Sequence, residues 1–227
     1  AYHIELPRYK DSVIAIKDFM RWISSNSDAT YYIDEENDIK EKFYPTNKIR
    51  STVNKENVLK NGVVAQKDAD KIVDFIDITI DDRGITKNRI LMLDILANND
   101  WKRPIYFTGG SFSDSEYLWM KKYLQLEGLV YKLVPIKTDI GKDNPYLMGR
   151  IDTDLMYDIV MQWNWRNSES PFIYHEPETR KNSISFRSNM ARLSEKLIDE
   201  GKAGKAGNPS TTLGKGNERT PTRIGKN

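Results

Sequence analysis

Apolar positions recur with two periods along this chain, and each change of period marks an element. Val13, Ile16, Met20 and Ile23 fall at helical spacing with Phe19 beside them, so an amphipathic helix is expected over 13–23, capped by Asp11 or Ser12. Residues 24–56 hold no period and read as a polar, irregular connection. Asn61-Gly62 is a turn signal between two short apolar runs. From Ile72 the period drops to two: Ile72, Asp74, Ile76, Ile78 and Ile80 alternate, and a strand is expected over 75–80. Asp81-Asp82-Arg83-Gly84 then turns the chain. Ile90, Leu91, Leu93, Ile95 and Leu96 form a wide apolar face on a helix that starts at Thr86 and stops at Asn98-Asn99-Asp100.

The stretch 104–135 organises the rest. Pro104 opens a buried-type strand over 104–108, and Thr108-Gly109-Gly110-Ser111 leaves it. Ser113 and Glu116 have capping-box spacing, and Tyr117, Trp119, Met120, Tyr123, Leu124 and Leu126 predict a helix running to Gly128. A strand over 129–135 follows. Strand, glycine loop, helix and strand make a βαβ unit with parallel strands. Beyond a loop over 136–150, Asp152-Thr153-Asp154 opens a helix with Leu155, Ile159 and Trp163 on one face. A long helix runs from Glu178 to Gly201, with Ile184, Arg187 or Ser188, Ala191, Leu193, Leu197 and Ile198 on its stripe. The expected fold is α/β: a small mixed sheet containing a βαβ unit flanked by helices, a long C-terminal helix, and a disordered tail.

Composition adds boundaries. The 227 residues are 38% hydrophobic and 30% charged, with 35 basic against 33 acidic residues. So even a balance gives no sign of a nucleic-acid groove, and none is expected. There is no cysteine, which excludes disulfides, thiolate catalysis and Cys-ligated zinc. No apolar run approaches the roughly 20 residues of a spanning helix. The chain begins without methionine and reads as a piece of a longer protein. Residues 1–201 are expected to form one domain. Residues 202–227, rich in Gly, Lys, Asn and Thr, lack the apolar surface to offset ordering and are expected to be disordered. Shifting the reading frame by one base after Ala206 can give EILRQRLAKAMKELPLELAK, a helical sequence, so the tail is also a candidate frameshift product.

Five features could carry chemistry. The loop Thr108-Gly109-Gly110-Ser111, with Trp119 nearby in sequence, lies between a strand end and a helix start, where free N–H groups favour anions. It is equally a tight turn, and it matches no dinucleotide or P-loop fingerprint, so no cofactor is expected. Asp152 and Asp154 have the DxD spacing that holds a metal in many glycosyltransferases, yet they sit where a helix takes an N-cap and a first-turn carboxylate. Asp34, Glu36 and Asp38 alternate, but Ile39 and Pro45 stand where an EF-hand loop needs Gly and Glu. Trp163, Trp165 and Phe172 could stack on sugars or fill a core. Asp81 and Asp82 could be an acid/base pair or simply turn residues, and two histidines without cysteine do not make an ordinary zinc site.

Five blocks together resemble a known family: YKDSVIAIKDFMRWI, LMLDILANNDWKRPIYFTGGSF, EYLWMKKYLQLEGLVYKLVPIKT, GRIDTDLMYDIVMQWNW and HEPETRKNSISFRSNMARLSEKLIDEGK. They are similar to the C-terminal soluble region of bacterial protein O-mannosyltransferase-like membrane proteins, over roughly Leu6 to Lys202. The resemblance implies a polytopic parent of glycosyltransferase C type that passes a sugar from a lipid-phosphate donor to a protein hydroxyl outside the cytoplasm. It implies that the catalytic carboxylate lies upstream, so no catalytic residue is carried over to this chain. The implied partners are the parent's membrane domain, the acceptor protein and, through the parent, the lipid-linked sugar. The expected role is a non-catalytic extracytoplasmic domain that holds the acceptor or braces the membrane part. Two other readings stay open: a metal-dependent glycosyltransferase using Asp152 and Asp154, and a carbohydrate- or peptide-binding module using the glycine loop and Trp119.

Overall fold

A computed structural model describes residues 1–34, 36, 38–108, 114–139, 148–165, 170 and 172–207. The chain divides into two compact units. The first comprises Ala1–Leu124 and Leu133–Met148, the second Gln125–Lys132 and Gly149–Asn227. In chain order the elements are β1 (Tyr2–His3), β2 (Ile14–Ala15), α1 (Ile16–Ser24), β3 (Tyr31–Asp34), β4 (Ile39–Tyr44), β5 (Lys48–Thr52), α2 (Lys55–Lys60), β6 (Phe75–Thr79), α3 (Lys87–Asn99), β7 (Tyr106–Thr108), β8 (Leu124–Glu127), β9 (Val130–Leu133), α4 (Thr153–Met161) and α5 (Pro177–Asp199). Three three-stranded sheets are ordered β1–β4–β3, β2–β5–β6 and β7–β9–β8. The fold is mixed α/β, as expected, but its strands are spread over three sheets.

In the first unit the period-two stretch behaves as it reads. Along β6, Ile76 and Ile78 are buried while Phe75, Asp77 and Thr79 face out. β5 pairs antiparallel with β6, setting Ile49 opposite Ile78, and β2 runs parallel to β5. Helix α1 turns Ile16 and Phe19 inward. Phe19 meets the Tyr44 ring edge-on at 5.5 Å, and the Trp22 indole donates to the Phe43 carbonyl at 2.8 Å. The expected caps at Asp11 and Ser12 are not used. Ile14 and Ala15 pair with β5 before the helix starts, so Ala15 takes the N-cap position. Helix α2 ends in a Schellman turn at Gly62, where Gly62 N–H donates to Leu59 and Val63 N–H to Val58. On α3, Leu93, Leu96 and Ala97 are buried, whereas Leu91 and Ile95 face out.

Two larger expectations fail, over residues 24–56 and over the stretch up to Gly128. Residues 24–56 are not an irregular connection: they contain β3, β4 and β5. In the β3–β4 hairpin Tyr32, Ile33 and Ile39–Glu41 are exposed and burial begins only at Phe43 and Tyr44, so no alternation marks it. Pairing and the Lys42 ammonium, 3.8 Å above the Tyr31 ring, hold it instead. The helix expected up to Gly128 is absent too. Residues 114–117 and 121–123 are single 3-10 turns, and Leu118 and Trp119 between them both have φ near +55° (+52° and +58°), which no α-helix tolerates. β8 then follows with all four residues buried. A strand buried on both faces has no alternation, and a run such as Tyr123-Leu124-Gln125-Leu126 fits either period. The strands at 106–108 and 130–133 are therefore not joined by a helical crossover, and the expected βαβ unit is replaced by a tight β8–β9 hairpin turning at Gly128-Leu129.

The second unit packs α4 and α5 around the tip of that hairpin. Gly128 has φ +64°, its N–H donates to the Met156 sulfur at 3.0 Å, and its carbonyl accepts from the Asn189 amide at 2.9 Å. Met156 and Val160 of α4 are buried, as are Met190, Leu193 and Leu197 of α5. The apolar faces differ from the expected ones: Leu155, Ile184 and Ile198 are exposed, and Arg192, with its carbon stem and guanidinium buried, donates to the Gly149 carbonyl. Trp163 and Trp165 pack against Phe186, at 5.2 and 5.5 Å, while Phe172 is 94% exposed. Helix α5 ends in a Schellman turn at Gly201. Packed chain continues past the expected boundary at 201. Residues 203–207 are helical, Ala206 is buried, and its carbonyl accepts from the Ser194 hydroxyl. The rest of the expected disordered tail lies outside the described residues.

Candidate functional site

Of the glycine-loop site, the structure places two members. Thr108 ends β7 and is exposed. Trp119 is half-buried in the left-handed region. Gly109, Gly110 and Ser111 lie outside the described residues, as does Ser113 of the expected capping box. The other half of that box, Glu116, accepts from Arg89 at 3.1 Å. Arg89 stands in the first turn of α3 and also reaches the Ser115 hydroxyl at 3.2 Å and the Asp82 carboxylate at 3.4 Å. Its guanidinium thus joins the 81–84 turn, the start of α3 and the 3-10 turn at 114–117. Sequence reasoning missed Arg89 because its partners lie 7, 26 and 27 residues away. Asp81 and Asp82 are both exposed on their turn, with Asp82 paired to this arginine.

The Asp152–Asp154 pair resolves into two separate tasks in the second unit. The buried Asp152 carboxylate caps α4, accepting from the Leu155 N–H at 3.3 Å. Asp154 holds the Lys202 ammonium at 2.9 Å, with Lys205 at 3.8 Å. Lys202 also donates to the Thr153 hydroxyl and sits 3.0 Å from Glu200, which accepts from Thr153 at 2.5 Å. Partial burial alone would raise the Glu200 carboxyl. The hydrogen bonds from Thr153 and Lys202, with the charges of Lys202 and Lys196, outweigh it and hold the group below its ordinary value. The hydrogen bonds to Asp154 and Glu200 raise the Lys202 ammonium despite desolvation. This network fastens the start of α4 to the residues just after α5. Among the described residues no three His, Asp or Glu side chains are grouped to hold a metal ion.

Two buried polar features had no signature in the sequence. At the hairpin tip, Lys132 and Glu127 form an ion pair at 3.2 Å with both side chains under a tenth exposed. Gln125 bridges Glu127 to Arg150, at 2.8 and 3.1 Å. Charges so desolvated persist only when paired and hydrogen-bonded, which these are. In the first unit the His3 and Tyr44 rings stack at 5.5 Å, and neither His3 Nε2 nor the buried Tyr44 hydroxyl has a hydrogen-bond partner among the described residues. Burial pushes the Tyr44 hydroxyl up to about 12, with the Asp82 charge adding to the shift. The other histidine, His175, offers its carbonyl to Arg180 Nε.

No helix among the described residues is long and apolar enough to cross a membrane. No curated protein and no solved structure matches the chain. A family model does match, over residues 3–155, from β1 into the first turn of α4. The chain belongs to the family described as TMEM260-associated domain 2.

Proposed function

We propose that this chain is the non-catalytic, extracytoplasmic domain of a membrane-embedded, protein O-mannosyltransferase-like glycosyltransferase, where it holds the acceptor protein or braces the membrane part. The observation that carries the reading is the family match over residues 3–155, whose family is named for its association with TMEM260, a protein O-mannosyltransferase-like protein. The chemistry of the described side chains is in keeping with it. Asp152, Asp154, Glu127, Lys132 and Arg89 are all engaged in caps and ion pairs that hold segments together. The membrane part would bind the lipid-linked sugar and supply the reacting carboxylate.

The test uses the full-length membrane protein and this chain in parallel. The full-length protein is expected to transfer mannose from a mannosyl-phospho-lipid to an acceptor protein, and the isolated chain to transfer none. Deleting residues 1–207 from the full-length protein should lower acceptor glycosylation while donor binding persists. Transfer by the isolated chain would overturn the assignment. Sidedness is read separately. The stretch has no cysteine, so a single cysteine placed at the exposed Lys17 should react with a membrane-impermeant maleimide added outside the cytoplasm.

A further inference from the structure

We propose that the outer edge of β3 accepts an extended, basic segment of another protein as an added strand. β3 is the last strand of its sheet, paired with β4 on one side only, in the register Tyr31↔Lys42, Tyr32↔Glu41 and Ile33↔Lys40. Edge strands of monomeric proteins are ordinarily blunted by lysine, proline, a bulge or a covering loop. The sequence of β3, Tyr-Tyr-Ile-Asp, has no lysine or proline, and its pairing with β4 runs without a bulge over four residues. Tyr32 and Ile33 are each 48% exposed on opposite faces, and Ile39 across the hairpin is 40% exposed. Apolar residues on both faces of an edge strand are what an additional strand covers, because its own side chains alternate between the same two faces.

Charge selects the occupant. Between Asp28 and Lys42 the sequence has six carboxylate residues against two lysines. Both lysines are already engaged: Lys40 with Asp28 at 3.0 Å and with the Tyr31 ring, Lys42 with the Thr30 hydroxyl, the Ser25 carbonyl and the same ring. A second copy of this chain pairing edge to edge would set like charges against each other, and an anionic lipid surface would be repelled. A strand with basic residues at alternate positions is drawn to the net negative charge of this segment while its backbone pairs with β3. This inference stands apart from the glycosyltransferase reading and does not depend on it.

The probe is an octapeptide of alternating Lys and Val, added to the whole 227-residue chain at low salt. Amide exchange at Tyr31–Asp34 should slow at alternate residues. A peptide of equal charge with Pro in place of Val, which cannot pair along a ladder, should leave those amides unprotected. The Glu-Val peptide should not bind. Tyr32→Lys should weaken binding by about tenfold, the effect of one unfavourable charge on a surface pair set close to the ligand. If that variant folds poorly, high salt applied to the unaltered chain tests the same charge dependence. Equal protection by the Pro peptide, no protection by the Lys-Val peptide at millimolar concentration, or protection that grows with protein concentration alone would each overturn the proposal.

Discussion

Gly128 is a position where a single methyl group should damage the second unit twice over. It has φ +64°, and a Cβ built there would lie 3.1 Å from the Ile159 Cγ2 and 3.5 Å from the Trp163 ring. Two costs add. An L-residue in the left-handed region loses about 1–2 kcal/mol. A contact at 3.1 Å forces α4 or the hairpin to shift, and overpacking of this kind costs about 1–3 kcal/mol. Gly201 is the internal reference. It lies in the same unit with φ +74°, and a Cβ there meets nothing within 4 Å, so Gly201→Ala should lose only the backbone share, about 1–2 kcal/mol. Gly128→Ala should therefore destabilise by about 2–5 kcal/mol, and the excess over Gly201→Ala measures the contact. Amide exchange along α5 at Met190, Leu193 and Leu197 reads the opening free energy of this unit specifically. Removing the obstructing methyl with Ile159→Ala should make the Gly128 penalty smaller, a non-additivity expected of touching residues. Equal losses for the two alanine variants, or strict additivity with Ile159→Ala, would refute the packing argument and leave only the dihedral.

Three further expectations follow from the same geometry. Tyr44 ionises near 10 when unfolded and near 12 in the fold, so its contribution is intact below pH 10 and is lost between pH 10 and 12, amounting to about 3 kcal/mol; Tyr44→Phe should flatten alkaline unfolding, and an ultraviolet titration placing Tyr44 at 10 would contradict this. Asp152→Ala should cost about 1 kcal/mol through loss of the α4 cap while Asp152→Asn, an equally good cap, costs almost nothing; a large loss with Asn in thermal unfolding would mean the charge itself is needed. Glu200, held below the ordinary carboxylate range, contributes stability that is present above that range and lost as pH falls through its lowered value, so Glu200→Gln should reduce the acid sensitivity of the α5 amides.

The parts of the fold that were legible in sequence are those where a local signal and the packing agree. The isoleucines of β6 alternate because one face of that strand is buried, and the Thr86 start and Asp100 stop of α3 lie where the structure puts them. Asp152 was recognisable as a cap because capping chemistry is local. The failures come from long-range pairing. β8 is buried on both faces, and its polar residues Gln125 and Glu127 find partners at Arg150 and Lys132, so nothing in the run 117–127 separates strand from helix. β3 and β4 fail for the opposite reason, since Tyr32, Ile33 and Ile39–Glu41 are exposed and burial starts only at Phe43, which leaves no alternation to read. Arg89 was invisible because its role is defined by residues brought to it by folding. Of the glycine-loop site, the sequence correctly put Thr108 at a strand end. The helix it assumed beyond the loop, whose N-terminus was to bind an anion, is not there.

The exchange of chain between the two units bears on how the polypeptide can be divided and in what order it can finish folding. Residues 125–132 belong with chain made at least seventeen residues later, from Gly149 onward. During synthesis the Gly128 turn must wait for Met156, and then for Asn189, before its N–H and its carbonyl both have partners. No single cut yields both units intact. A polypeptide trimmed to the family's own limits, 3–155, keeps the hairpin but discards Met156, Val160 and all of α5. We expect that fragment to bare Leu126 and Gly128 to solvent and to aggregate, whereas a boundary drawn after Gly207 should give a well-behaved protein.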